Sequence, residues 1–142
     1  MDRKAEARWA GDLKSGTGTL KVESGAFEGP YSASSRFETG AGTNPEELIG
    51  AAHAGCFSMA LAHALSGAGH TVTSITTTAT VHLTKGDKGY GISGIDLATR
   101  GVVPGLPEAD FKRFAEETRV GCIVSRALAA VPTQLDAQLS SA

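Results

Sequence analysis

Cysteine is scarce in this chain: Cys56 and Cys122 are the only two among 142 residues. So few cysteines exclude a small secreted fold that is held together by several disulfides. Structural zinc usually takes four ligands, and the sequence offers no convincing fourth to join these two cysteines and His53. We therefore expect no metal site.

An excess of one charge is also missing, since 13 Lys and Arg face 15 Asp and Glu, for a net charge of -2. This balance provides no electrostatic basis for binding nucleic acid or an anionic membrane.

The charged first residues lack the apolar stretch of a secretory signal. The longest apolar run, residues 48–65, contains two histidines and follows two glutamates, so it predicts a buried helix rather than a membrane span. We expect a cytoplasmic protein with a single domain over residues 1–142.

Short segments of alternating apolar and polar residues, separated by glycine and proline, indicate antiparallel strands. They cover residues 5–9, 17–23, 31–38, 72–85, 90–103 and 133–139. Gly94 is expected to mark a bulge. Two later segments, 107–120 and 122–130, are predicted helices, and the first of them should bury Phe111, Phe114, Ala115 and Thr118.

A long helix is predicted to begin at Asn44, which suits the N-cap, with Pro45 at the first helical position and Glu47 closing a capping box. Residues 48–65 are apolar on every side of this helix. Such a helix must be covered all round, and a short chain has little to cover it with, so we expect a partner subunit to contribute. The fold class is therefore α+β with a long central helix.

The chemistry depends on whether Cys56 is reactive. Burial in apolar surroundings disfavours a thiolate. Cys56 also lies about three turns into its helix, where the helix dipole contributes little. A nearby cation is then needed, and Arg36, on the predicted strand before the helix, is the natural candidate. A buried guanidinium needs a carboxylate, which Glu46 or Glu47 can supply.

Simpler interpretations of the same residues remain open. Free cysteine is among the most buried residue types, so Cys56 by itself fits an inert core position. Arg36 and Glu46 also fit a solvated strand charge and a helix-capping residue. Cys122 stands at or near a helix N-terminus, which favours its thiolate, and two such thiols form a plausible attacking and resolving pair.

Three stretches carry a resemblance to a known family. They are SSRFE at residues 34–38, GTNPEELIGAAHAGCFSMAL at residues 42–61 and CIVSRAL at residues 122–128. In these stretches the chain resembles the OsmC/Ohr family of osmotically induced and organic hydroperoxide resistance proteins. The resemblance implies an OsmC-like fold, in which antiparallel sheets surround a long central helix, and an intertwined homodimer with its active site at the subunit interface.

The resemblance also implies a cysteine-based peroxidase that reduces organic hydroperoxides, and hydrogen peroxide as a second substrate, without metal or cofactor. Cys56 would be the peroxidatic thiol that becomes a sulfenic acid, and Cys122 the resolving thiol that forms a disulfide with it. Arg36 would activate Cys56, and Glu46 would orient Arg36. A dithiol reductant, such as a lipoyl protein, would restore both thiols. Ile123 departs from the family pattern, in which proline often follows the second cysteine.

Two further functions are consistent with the same residues: a redox sensor or ligand-binding protein that uses the fold without turnover, and a structural protein with a static disulfide. Only turnover of a hydroperoxide distinguishes the enzyme from both.

Overall fold

The computed structural model of the chain describes residues 1–141. The elements follow the order β1 (Ala5–Ala10), β2 (Thr17–Val22), β3 (Glu28–Tyr31), α1 (Ala33–Phe37), α2 (Pro45–Gly67), β4 (Ser74–Gly86), β5 (Gly89–Val102), α3 (Glu108–Gly121), α4 (Ile123–Ala127) and β6 (Thr133–Leu139). The predicted α+β class with a long helix is confirmed. The chain divides into two compact units, one from Met1 to Leu48 and one from Ile49 onwards. That all of it forms one domain stays a prediction.

The first unit contains an antiparallel sheet in the order β1-β2-β3. The rings of Trp9 and Tyr31 lie 5.3 Å apart, centroid to centroid, on this sheet. A Cβ atom at Gly18 would lie 2.3 Å from the Tyr31 ring, so this position requires glycine.

The predicted strand over residues 31–38 is wrong, because Ala33–Phe37 forms the short helix α1. Ser32 and Ser35 form a reciprocal capping box: each side-chain oxygen accepts the backbone N–H of the other, at 3.1 and 2.9 Å. The Ser35 hydroxyl also donates to the carbonyl of Thr43 at 2.7 Å. These local hydrogen bonds stabilise a helical turn, although the alternating apolar and polar residues favour a strand. The strand lies just before this helix, at Glu28–Tyr31.

The second unit contains the sheet β4-β5-β6. Strands β4 and β5 form the predicted antiparallel hairpin, and their register shifts at His82 and Leu83, whose partners are Gly94 and Ile92. The bulge predicted at Gly94 is therefore present. Strand β6 pairs with β5 in parallel, which requires the long connection through α3 and α4.

The core of the second unit is built on one face of α2. Phe57, Leu61 and Leu65, spaced four residues apart, are fully buried. They belong to one apolar cluster with residues of the sheet and α3, among them Ile95, Leu97, Phe111 and Ala115. Of the residues predicted to face inward from α3, Phe111, Ala115 and Thr118 are buried and Phe114 is half-buried.

Helix α2 begins at Pro45, directly after Asn44, as the sequence predicts, but the Glu47 carboxylate lies near the Asn44 side-chain nitrogen and not its backbone N–H, so only half of the predicted capping box forms. The Asn44 side-chain oxygen accepts the backbone N–H of Glu47 at 2.8 Å, which satisfies one of the free donors of the first turn. By length and composition, α2 is the one helix within residues 1–141 that is apolar enough to cross a membrane. The core helix of a soluble protein meets the same criterion.

Candidate active site

In the first unit, Arg36 and Glu46 form a two-pronged ion pair. Arg36 Nη2 donates to Glu46 Oε1 at 2.7 Å, and Nε lies 3.2 Å from both carboxylate oxygens. Glu46 is buried, with 7% of its surface exposed, and stands in the first turn of α2, where a negative charge is favoured. This geometry fixes the plane of the guanidinium and leaves Nη1 free of that carboxylate.

Of the two glutamates that were candidates for this role, Glu47 lies elsewhere. Its carboxylate is 3.5 Å from the side-chain nitrogen of Asn44, at the start of α2. Arg36 itself is partly open, with 39% of its side chain exposed, and its guanidinium carbon lies 5.2 Å from the centroid of the Phe37 ring. The pair is therefore anchored on its carboxylate side and accessible on its guanidinium side.

The second unit contains both cysteines, and both are free thiols. Cys56 lies on α2 and is half-buried. Its sulfur accepts a hydrogen bond from the backbone N–H of Val124 at 3.5 Å. Cys122 is buried, with 4% exposed, and is the N-cap residue of α4. Its sulfur accepts the backbone N–H of Ser125 at 3.3 Å.

Helix α4 thus links two thiols that are far apart in the sequence. The backbone amides of the consecutive residues Val124 and Ser125 donate to the sulfurs of Cys56 and Cys122, respectively. Gly121 ends α3 and frees residue 122 to cap α4, as the sequence indicated, although α4 is shorter than predicted. Ile123, the residue after Cys122, is 72% exposed.

Sequence reasoning considered His53 only as a possible metal ligand, and it missed Ser125. His53 is completely buried, and its Nε2 lies 2.8 Å from the Ser125 hydroxyl oxygen. The thiol of Cys122 donates to the same oxygen at 3.0 Å. Burial lowers the pKa of His53 and keeps its ring neutral. The only signal in the sequence was the position of His53 three residues before Cys56.

The possible metal ligands do not converge. Within residues 1–141 no group of three or more His, Cys, Asp or Glu side chains is arranged to hold a metal ion.

A cavity of about 440 Å³ lies beside α4, with Ser125, Arg126 and Arg119 among its lining residues. Ser125 therefore contacts the buried Cys122 sulfur and also lines this cavity.

Comparison with known proteins connects this arrangement to a family. A family model described as OsmC-like protein matches residues 38–136. The proteins named peroxiredoxin OsmC of Escherichia coli (strain K12) and Shigella flexneri are each 50% identical to this chain over 142 residues, which cover 99% of both sequences.

Solved structures share the fold at lower identity. The organic hydroperoxide resistance protein OhrB of Bacillus subtilis has a TM-score of 0.71 and 21% identity, with 96% of this chain and 98% of that chain covered. An OsmC-like protein of unknown function from Vibrio cholerae has a TM-score of 0.74 and 18% identity, with 99% of each chain covered. The predicted OsmC-like fold is thereby confirmed.

Proposed function

Because this chain belongs to the family of OsmC-like proteins and is a thiol-dependent peroxidase, we propose that it reduces organic hydroperoxides with Cys56 as the attacking thiol and Cys122 as the resolving thiol. The observation that carries this proposal is the pairing of two free cysteines with consecutive amides of α4. Two thiols that accept hydrogen bonds from the same turn of α4 are suited to oxidation in sequence.

The first step is attack by the Cys56 thiolate on the distal oxygen of the hydroperoxide. The sulfur–oxygen bond forms as the oxygen–oxygen bond breaks, so the sulfur is oxidised to a sulfenic acid and the peroxide is reduced to an alkoxide, which leaves as the alcohol after gaining a proton. We assign to Arg36 the stabilisation of the thiolate and of the alkoxide charge, and to Glu46 the orientation of Arg36. The short, two-pronged contact between Arg36 and buried Glu46 supports these roles.

The second step joins the two sulfurs. Cys122 attacks the sulfenic sulfur of Cys56, a disulfide forms, and the hydroxyl group leaves as water. A dithiol then reduces the disulfide through a mixed disulfide, and the dithiol becomes oxidised. A lipoyl-type dithiol is our candidate for this reductant, and we place the reaction in the cytoplasm.

We further propose that the protein is a homodimer with the active site at the subunit interface. Helix α2 is apolar on all sides, yet its face containing Ala52, Gly55 and Met59 is exposed, with Met59 77% accessible. A second copy is the expected cover, because a monomer rarely exposes a continuous apolar helix face. Sedimentation equilibrium should show a dimer that Met59→Glu weakens. A monomeric wild-type protein would contradict this assignment.

The central test is turnover with a resolving-cysteine variant beside the wild type. With excess dihydrolipoamide, the wild-type protein should consume cumene hydroperoxide continuously. Cys122→Ser should react once and then lose activity, because its sulfenic acid has no partner thiol and proceeds to sulfinic acid. Peroxide consumption and the mass of the Cys56 peptide measure both effects.

Two outcomes would count against the proposal. A wild-type protein that consumes no hydroperoxide would favour the non-catalytic sensor or ligand-binding function. Sustained turnover by Cys122→Ser would remove Cys122 from its resolving role.

A further inference from the structure

A continuous chain of hydrogen bonds connects Cys122 to a buried histidine. Cys122 Sγ donates to Ser125 Oγ at 3.0 Å, and Ser125 Oγ lies 2.8 Å from His53 Nε2. The residues come from α2 and from the start of α4, and His53 and Ser125 are 72 positions apart in the sequence. The mechanism proposed above uses Cys122 but gives no function to the other two members.

The direction of these hydrogen bonds follows from proton counting. A serine hydroxyl has one proton to donate, and here its oxygen already accepts the Cys122 thiol proton. Its own proton then points to His53 Nε2, which must be the bare nitrogen of a neutral ring. Burial lowers the pKa of His53, which agrees with a neutral ring.

The other ring nitrogen of His53 makes this arrangement unusual. Nδ1 is buried and makes no hydrogen bond with any group in the described part of the chain. An unpaired polar atom in a fully buried side chain is destabilising, by about 1–3 kcal/mol for a typical group. A histidine that only fills space in the core is readily replaced by an apolar residue. Its presence at this position therefore calls for a role that needs the imidazole.

We infer that Ser125 and His53 form a proton relay that activates Cys122 for the resolving step. As Cys122 attacks the sulfenic sulfur of Cys56, its thiol proton moves to Ser125 Oγ, and the serine proton moves to His53 Nε2. The S–S bond forms, the S–O bond breaks, and the departing hydroxide takes up one proton from solvent and leaves as water. His53 later returns its proton to solvent.

The roles of the two residues differ. Ser125 touches the reacting sulfur and is a catalytic residue of the resolving step, whereas His53 acts through Ser125 and is a positioning and proton-accepting residue. The buried location of Cys122 explains why a relay is needed, because water has little access to a thiol that is 4% exposed. This inference rests on the proposed function of Cys122.

The test separates the two chemical steps in one experiment. Reduced protein is mixed with one equivalent of cumene hydroperoxide and quenched over time. Dimedone then traps the sulfenic acid, and mass spectrometry quantifies the trapped Cys56 peptide and the Cys56–Cys122 disulfide. In Ser125→Ala and in His53→Gln, the disulfide should form about 100-fold more slowly, the low end of the effect of general acid–base catalysis. Circular dichroism should show that each variant is folded, and the separately measured rate of Cys56 oxidation should show that the slowed step is formation of the disulfide.

Conservative variants distinguish proton transfer from support of the structure. Glutamine at position 53 keeps a hydrogen-bonding group for Ser125 but accepts no proton, so a slow His53→Gln variant identifies proton transfer. Ser125→Thr, which keeps the hydroxyl, should restore most of the rate. Ser58→Ala is the matched control, because it removes a serine hydroxyl that donates to Thr77 Oγ1 at 2.8 Å and does not belong to the relay.

Wild-type resolution rates in Ser125→Ala or in His53→Gln would overturn the relay. If His53→Gln does not fold, the relay is tested by comparing the rates of disulfide formation in Ser125→Ala and Ser125→Thr. A wild-type protein that accumulates sulfenic acid and never forms the disulfide would instead reject the proposed function of Cys122.

Discussion

Replacing Cys56 with serine is expected to abolish hydroperoxide reduction, with a loss of about 10⁴-fold or more in the rate of peroxide consumption. A serine hydroxyl is a far weaker nucleophile than a thiolate and cannot form a sulfenic acid. The half-buried Cys56 sulfur has a hydrogen bond from Val124, which a serine oxygen can largely keep, so the fold should be unaffected. Consumption of cumene hydroperoxide under excess dihydrolipoamide measures the effect.

Cys122→Ser is the matched control for this experiment. It also replaces a thiol that accepts a hydrogen bond from a backbone amide of α4, yet it should retain the first turnover that Cys56→Ser lacks. A Cys56→Ser protein that still reacts with dimedone after peroxide treatment would show that the primary oxidation occurs at another residue. That result would remove Cys56 from the mechanism.

Loss of the Arg36 guanidinium is expected to produce the second largest effect. Arg36→Ala should lower the rate of Cys56 oxidation by about 10²- to 10³-fold, the range seen when one charge-stabilising donor is removed from an active site. Alkylation of Cys56 by iodoacetamide at neutral pH should slow as well, because the thiolate loses its counter-charge. Both rates are best measured in a Cys122→Ser background, where Cys56 is the only thiol.

The effect of losing the guanidinium can be separated from the effect of leaving Glu46 unpaired. Arg36→Ala leaves the buried Glu46 carboxylate without its ion-pair partner, which by itself destabilises a protein. The double variant Arg36→Ala/Glu46→Gln removes the unpaired charge along with the guanidinium, so it should be equally slow but more stable. Arg8→Ala, which removes an exposed arginine of β1, is the control for the change in net charge. Unchanged oxidation and alkylation rates in the double variant would reject the activating role of Arg36.

Secondary structure followed the sequence wherever short-range signals agreed with one another. The N-cap at Asn44 and the proline after it defined the start of α2, and the apolar spacing of α3 identified its buried residues. Residues 31–38 were predicted wrongly because two signals conflicted there. Alternating polarity indicated a strand, while Ser32 and Ser35 had the spacing of a capping box, and the capping box prevailed.

The candidate site, too, could be predicted only in part from the sequence. Sequence reasoning named Arg36 and two possible carboxylates, but successive residues of a helix point in different directions. Only the position of α1 decided that Glu46 faces Arg36 and Glu47 faces Asn44. The roles of Arg36, Glu46 and both cysteines in catalysis stay predictions until the variants above are measured.

The sequence alone determined which chemical groups this protein has: two thiols, a long apolar helix around the first, and a helix start at the second. These are consequences of residue type and of interactions within one or two turns. The tertiary structure alone decided that the Val124 amide meets Cys56, 68 positions away, and that His53 reaches Ser125 across 72 positions. Such contacts arise from how the second unit brings α2 beside α4, and no local pattern of residues encodes the relative placement of elements that are distant in the chain.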